Sequence, residues 1–73
     1  MRIRDLREDK DLTQKQIAEY LKIKQNTYSQ YETGAREIPV EVLVSLATFY
    51  DTSVDYILGV TDCKKPYPGS KKR

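Results

Sequence analysis

The sequence predicts an all-α domain of five short helices, and three observations support this fold class. Apolar residues recur at helical spacing in five segments, no segment alternates apolar and polar residues as a half-buried strand does, and residues typical of helix starts and stops lie between the segments. A chain of 73 residues is long enough for one domain only. Its small core should give a stability on the order of a few kcal/mol.

The first half of the chain predicts three helices. The first covers residues 2–10, where charged residues surround an apolar stripe. Thr13, with a glutamine three residues later, forms a capping-box pattern, so a second helix should begin at residue 14 and end near 21 or 22. A third helix should run over residues 25–33 and end at Gly34, because glycine adopts the left-handed conformation that helix ends often need.

The second half of the chain predicts two more helices. Pro39 suits the entry of a fourth helix, which the polar residues beginning at Asp51 interrupt. Ser53 should cap a short fifth helix over residues 54–58, and Gly59 should end it.

Composition divides the chain into a domain over residues 1–61 and a basic tail over 62–73, which holds two prolines, one glycine and a run of cations. The net charge of the whole chain is +2, but residues 1–63 hold eight basic and 11 acidic side chains, a balance of −3. Affinity for phosphate must therefore come from local clusters of cations. The tail, with its prolines and cations, is expected to be flexible, and its cations could follow a DNA backbone or stay solvated.

Composition excludes several classes of function. The chain has no histidine and a single cysteine, Cys63, so an internal disulfide is impossible and most zinc sites are removed. We expect no enzyme activity, no metal, no cofactor and no small-molecule ligand. No apolar run has the length of a membrane span and no signal peptide is present, so we expect a cytoplasmic protein with no membrane partner. A homodimer remains as the means of stabilising so small a domain.

The third predicted helix has an unusual outer face. With Tyr28 and Tyr31 directed inward, the opposite side carries amides and hydroxyls where lysine and glutamate are ordinary. Such groups donate and accept hydrogen bonds, as reading base edges in the DNA major groove requires. The candidate base-reading residues are Gln25, Asn26, Ser29, Gln30 and Thr33. The alternative is an ordinary polar surface helix.

Polar and basic residues flank this face. The N-terminus of the second helix, which begins with Gln14 and Lys15, can bind a phosphate through its free amides. Lys22, Lys24 and Arg36 bracket the third helix and could neutralise neighbouring phosphates, although each alone could be a solvated cation. Lys24 occupies the N-cap position of the third helix, for which lysine is poorly suited.

Glu32 predicts an ion pair inside the domain. Helical geometry turns its carboxylate back toward the core, where a charge needs a partner. Arg7 lies on or near the inward stripe of the first helix and is the best candidate, the alternative being two independent exposed charges.

The chain resembles the phage-repressor and Cro-like, Xre-type helix-turn-helix domains over residues 2 to about 60. The matching residues are Leu6-Arg7, Leu12-Thr13-Gln14, Ile17-Ala18, Leu21, Tyr28 to Gly34 (YSQYETG), Arg36, Pro39, Leu43, Leu46-Ala47 and Val54 to Leu58. The resemblance implies a compact five-helix, lambda-repressor-like DNA-binding domain, with the helix-turn-helix in the second and third helices and operator binding as a two-fold dimer.

The resemblance also implies roles for individual residues. Gln14 and Arg36 match phosphate contacts, and Arg7 with Glu32 matches a buried ion pair. Gln25, Asn26 and Gln30 match the family's positions that touch bases. Thr27 and Ser29 match positions that lie near the DNA backbone or the bases.

Two functions follow as expectations. The first is a sequence-specific regulator of transcription, a small repressor that binds a palindromic site in double-stranded DNA as a homodimer. The alternative is a protein-interaction module, an antitoxin-like partner or an adaptor with weak or no DNA binding, which the −3 balance slightly favours. Phe49 and Tyr56 are candidates for an exposed dimer contact, or else are partly buried in the monomer.

Overall fold

Five α-helices make up the domain in the computed structural model, which describes residues 1–65. They are α1 (Ile3–Asp9), α2 (Gln14–Leu21), α3 (Gln25–Thr33), α4 (Val40–Phe49) and α5 (Val54–Leu58). No residue of the described range is in a strand, so the all-α fold class is confirmed. The first helix is one residue shorter at each end than predicted. No helix in residues 1–65 combines the length and apolar character needed to cross a membrane. Residues 66–73 lie outside the described residues, so the predicted flexibility of the tail stays a prediction.

Local hydrogen bonds start α2 and α5 where the sequence predicts. The Thr13 hydroxyl accepts from the Gln16 amide at 3.1 Å, and the Gln16 side-chain oxygen accepts from the Thr13 amide at 2.8 Å. These two bonds form a capping box, which satisfies two backbone donors that a helix start leaves free. At α5 the Ser53 hydroxyl accepts from the Tyr56 amide at 3.0 Å.

Two residues with left-handed backbone conformation separate α3 from its neighbours. Gly34 ends α3 at φ 83°, which glycine adopts without steric cost. Lys22 ends α2 at φ 61°, although it carries a Cβ. That conformation costs a non-glycine residue about 1–2 kcal/mol. The sharp turn between α2 and α3 is therefore made at some expense to stability.

The core takes one fully buried side chain from each of the five helices. These are Ile3, Ile17, Tyr28, Leu46 and Ile57, each exposed by 1% or less. Because the core holds the α3 tyrosine on its inner side, the opposite side of α3 must face outward.

Arg2 fastens the chain that follows α5 to the start of the domain. Its guanidinium donates to the Thr61 carbonyl at 3.1 Å and to the Asp62 carboxylate at 2.7 Å, and it lies 4.2 Å from the centre of the Tyr56 ring. The Thr52 hydroxyl donates to the carbonyl of Lys64 at 2.5 Å. The start of the tail thus contacts the body, while the domain boundary after 61 stays a prediction.

The two candidate contact residues differ in their surroundings. Phe49 is 37% exposed and packs against the rings of Tyr20 and Tyr50, with centroids 4.5 and 5.0 Å away. Tyr56 is half-buried beneath Arg2. The most open apolar side chain of α4 is Val40, at 70% exposure.

Candidate nucleic-acid interface

The outer face of α3 is open. Gln25, Asn26, Gln30 and Thr33 are exposed, whereas Tyr28 and Tyr31 are buried beneath them. The two smaller predicted contact residues, Ser29 and Thr27, are half-buried at the flanks of the helix.

The last turn of α3 has hydrogen bonds that the sequence did not predict. The Thr33 hydroxyl donates to the Gln30 carbonyl at 3.2 Å and accepts from the Ala35 amide at 3.4 Å. The Arg36 amide donates to the same carbonyl at 3.3 Å, and the Arg36 side-chain Nε donates to Gln30 Oε1 at 2.8 Å. The sequence assigns Gln30 to base contacts and Arg36 to phosphate contacts, but in the structure the two side chains are in direct contact.

Three of the four predicted cations flank the two ends of α3, and the fourth lies in α2. Lys22 and Lys24 lie in the connector between α2 and α3, and Lys15 lies in the first turn of α2; all three are exposed. Ile23, between the two connector lysines, packs against the core and holds the connector in place. Arg36 is exposed at the opposite end of α3.

Arg7 and Glu32 form the ion pair that the sequence predicts. Arg7 Nε lies 2.7 Å from Glu32 Oε2 and Nη2 lies 3.2 Å from Oε1. The Arg7 Nη1 also donates to the Leu12 carbonyl at 2.8 Å. The two side chains are only 11% and 3% exposed, so this bidentate pair joins α1 to α3 inside the protein.

Gln14 extends this pair into a network. Its Nε2 donates to Glu32 Oε1 at 3.0 Å, linking the first residue of α2 to the end of α3. The half-buried side chain is thereby oriented before any ligand arrives, and it retains one N–H and its amide oxygen for another contact. Its proposed phosphate contact is still a prediction. The inward direction of Glu32 predicts that its carboxylate has a partner. No residue near Gln14 in the sequence indicates that Gln14 is one of the residues that bind this carboxylate.

The network shifts the ionisation of its members. Burial alone would raise the pKa of Glu32, but its interactions with neighbouring polar side chains, of which the hydrogen bond from Arg7 is the strongest, lower it. Hydrogen bonding to Glu32 raises the pKa of Arg7, against the opposing effect of burial. Both residues are therefore held in their charged forms.

Two buried tyrosine hydroxyls lie near this network. Neither the Tyr28 nor the Tyr50 hydroxyl has a hydrogen-bond partner within residues 1–65. Burial raises the pKa of Tyr50 to about 12. Burial, and then the interaction of the hydroxyl with Glu32, raises the pKa of Tyr28 well above its ordinary value.

The helix pair α2–α3, with its three-residue connector and open second helix, defines a helix-turn-helix protein. The family model described as "Helix-turn-helix" matches residues 3–57. The chain belongs to this family.

Several curated proteins are similar to the chain. The uncharacterized HTH-type transcriptional regulator YobD of Bacillus subtilis (strain 168) is 46% identical over 65 residues, which cover 89% of this chain and 58% of that protein. The HTH-type transcriptional regulator ImmR of the same organism is 36% identical over 64 residues, covering 88% and 50%. The cryptic phage CTXphi transcriptional repressor RstR of Vibrio cholerae is 38% identical over 53 residues, covering 73% and 48%.

The chain spans about half the length of the curated relatives that it matches. The family and the relatives' names confirm the prediction that the chain is not an enzyme. No solved structure matches it significantly.

Proposed function

We propose that this chain is a DNA-binding regulator of transcription that inserts α3 into the major groove. One observation carries the proposal: Asn26 and Gln30 are exposed on the side of α3 opposite the buried Tyr28 and Tyr31. Amide side chains can satisfy both donors and acceptors on base edges. The names of the relatives support the same role, because they describe transcriptional regulators and a repressor.

Within α3, Gln25, Asn26 and Gln30 are the principal base-reading residues of the proposal. The N-terminal residues of a recognition helix, here Gln25 and Asn26, most often reach base edges, and Gln30 lies one turn after Asn26 and is likewise exposed. Ser29 and Thr33 contribute less, because Ser29 is half-buried and the Thr33 hydroxyl is already bonded to backbone.

The proposal assigns phosphates to the polar residues around α3. Exposed cations at both ends of the helix can each displace a counterion from DNA, which gives binding its salt dependence. Gln14 can contact a phosphate through its remaining amide groups, as can the half-buried Thr27 hydroxyl at the flank of α3. The assigned residues are Gln14, Lys15, Lys22, Lys24, Thr27 and Arg36.

We also propose that two copies bind a palindromic operator and repress transcription. A dimer places its two recognition helices in successive major grooves, about 34 Å apart. Apolar side chains left open on α4, such as Val40 and Val44, are available for contact with a second copy. A regulator acts where the DNA is, so the proposal includes the cytoplasmic location expected from the sequence.

Selection of bound duplexes from a randomised pool tests this function. We expect a two-fold symmetric consensus, and binding to it that weakens steeply as salt rises. Gln25→Ala should relax the preference at particular base pairs, whereas Lys24→Ala should weaken all duplexes by a similar factor. Failure to enrich any sequence, even at low salt, would reject base reading by α3.

A further inference from the structure

Gln30 is the one amide on the outer face of α3 whose orientation is set within residues 1–65. Arg36 Nε donates to its Oε1 at 2.8 Å. The amide groups of Gln25 and Asn26 make no hydrogen bond within the same range, so each can turn to suit a base. Gln30 therefore meets DNA with a preset arrangement of donor and acceptor.

The chemistry of arginine fixes which end of the amide faces Arg36. A guanidinium has donors and no acceptor, so only the oxygen of Gln30 can bond to it. The NH2 group must then point away from Arg36. One of the two lone pairs of the amide oxygen is already in use, whereas both N–H donors remain for another partner.

The backbone holds Arg36 where it can perform this task. Gly34 turns the chain at φ 83°, and the Arg36 amide then donates to the Gln30 carbonyl at 3.3 Å. The two residues are thus joined by one backbone and one side-chain hydrogen bond. The exposed Arg36 also keeps its two Nη groups for a phosphate oxygen.

We propose that Arg36 is a positioning residue for base recognition, which turns the NH2 group of Gln30 toward the bases. Gln30 then reads by donation to O6 and N7 of guanine or O4 of thymine. This differs from the bidentate pairing with adenine, for which the amide must also accept from N6. The proposal rests on the proposed base reading by Gln30, and it makes Arg36 act on specificity as well as on affinity.

A matched pair of variants separates these two effects. Arg36→Met and Lys24→Met each remove one exposed cation from an end of α3 and keep an unbranched side chain. The probes are the selected consensus duplex and a panel in which each base pair is changed in turn. Circular dichroism checks that both variants remain folded.

We expect Lys24→Met to weaken every duplex of the panel by a similar factor. Arg36→Met should also reduce discrimination about fivefold at one base pair, the same base pair at which Gln30→Ala relaxes the preference. A fivefold loss corresponds to the free energy of about one hydrogen bond. In a Gln30→Ala background, Arg36→Met should cause only the uniform loss. The consensus at this base pair should present guanine or thymine to Gln30.

Other results overturn the inference in distinguishable ways. If Arg36→Met weakens all duplexes equally while Gln30→Ala relaxes one base pair, Gln30 reads DNA without help from Arg36, and only this inference fails. If the selected consensus has adenine at that base pair, and Arg36→Met keeps the preference for adenine, this inference likewise fails while base reading by Gln30 stands. If Gln30→Ala alters no base preference, base reading at this position fails together with the inference.

Discussion

Breaking the buried ion pair should show how strongly the domain depends on it. Glu32→Gln keeps the shape of the side chain but removes its charge, leaving the Arg7 guanidinium buried without a counterion. Removing one partner of a buried pair costs about 3–5 kcal/mol. The two side chains are 11% and 3% exposed, so the buried rather than the surface value applies.

That cost is large for this protein. A domain of 73 residues has a total stability of roughly 4–11 kcal/mol. The substitution should lower Tm by roughly 12–40 °C, taking about 4–8 °C per kcal/mol for a domain of this size. Urea and thermal unfolding followed by far-UV circular dichroism measure both quantities.

A double variant provides the control for this prediction. Arg7→Met with Glu32→Leu removes both charges and fills the space with apolar side chains, a change that is often neutral or stabilising for buried pairs. We expect it to recover most of the stability that Glu32→Gln loses. A loss below about 1 kcal/mol in Glu32→Gln, which is the value of a surface pair, would refute the reasoning.

Acid should remove the same contribution. The pKa of Glu32 is lowered in the folded protein, so its stabilising effect is complete above the unfolded value of about 4.3 and is lost as pH falls through the folded pKa. The stability difference between the wild type and Glu32→Gln should therefore be constant near neutral pH and shrink in acid. A difference that stays unchanged down to the acid unfolding transition would contradict the lowered pKa.

Three further substitutions test individual features of the fold. Lys22→Gly should raise the free energy of unfolding by about 1 kcal/mol, because glycine adopts the left-handed conformation without strain. The same substitution should weaken binding to all duplexes and reduce the slope of log affinity against log salt by about one. An unchanged free energy of unfolding would show that Lys22 is not strained. Tyr50→Phe removes a buried hydroxyl without a partner in residues 1–65, so stability at neutral pH should stay equal or rise by up to about 1 kcal/mol. Because the pKa of Tyr50 is raised to about 12, the wild type should also lose stability as pH rises from about 10 through that value. This loss should be smaller in Tyr50→Phe, in which only the raised pKa of Tyr28 still contributes. Ser53→Ala should cost about 1 kcal/mol in urea unfolding, and no loss would mean that its bond to the Tyr56 amide does not stabilise α5.

Much of the fold was predictable because helix ends depend on near neighbours. The capping box at Thr13 and the left-handed Gly34 involve residues within one turn, so the start of α2 and the end of α3 follow from local chemistry. The outward direction of Asn26 follows in the same way from a 3.6-residue repeat with buried tyrosines on the other side.

The functional details were less accessible, because several depend on how separate helices meet. Gln14 and Glu32 are 18 residues apart, and their hydrogen bond exists only because α2 and α3 pack together. The contact of Arg36 with Gln30 spans six residues, but it depends on the path of the chain after Gly34 and on one choice of side-chain rotamer. Neither leaves a periodic signal in the sequence.

The sequence by itself determined five helices, the side-chain caps of α2 and α5, and an outer row of amides on α3, since hydrophobic periodicity and capping act over a few residues. Only the tertiary structure decided which polar groups are already engaged: Gln14 by Glu32, and Gln30 by Arg36. The reason is that side-chain hydrogen bonds require distances near 3 Å, and packing of the whole chain sets those distances.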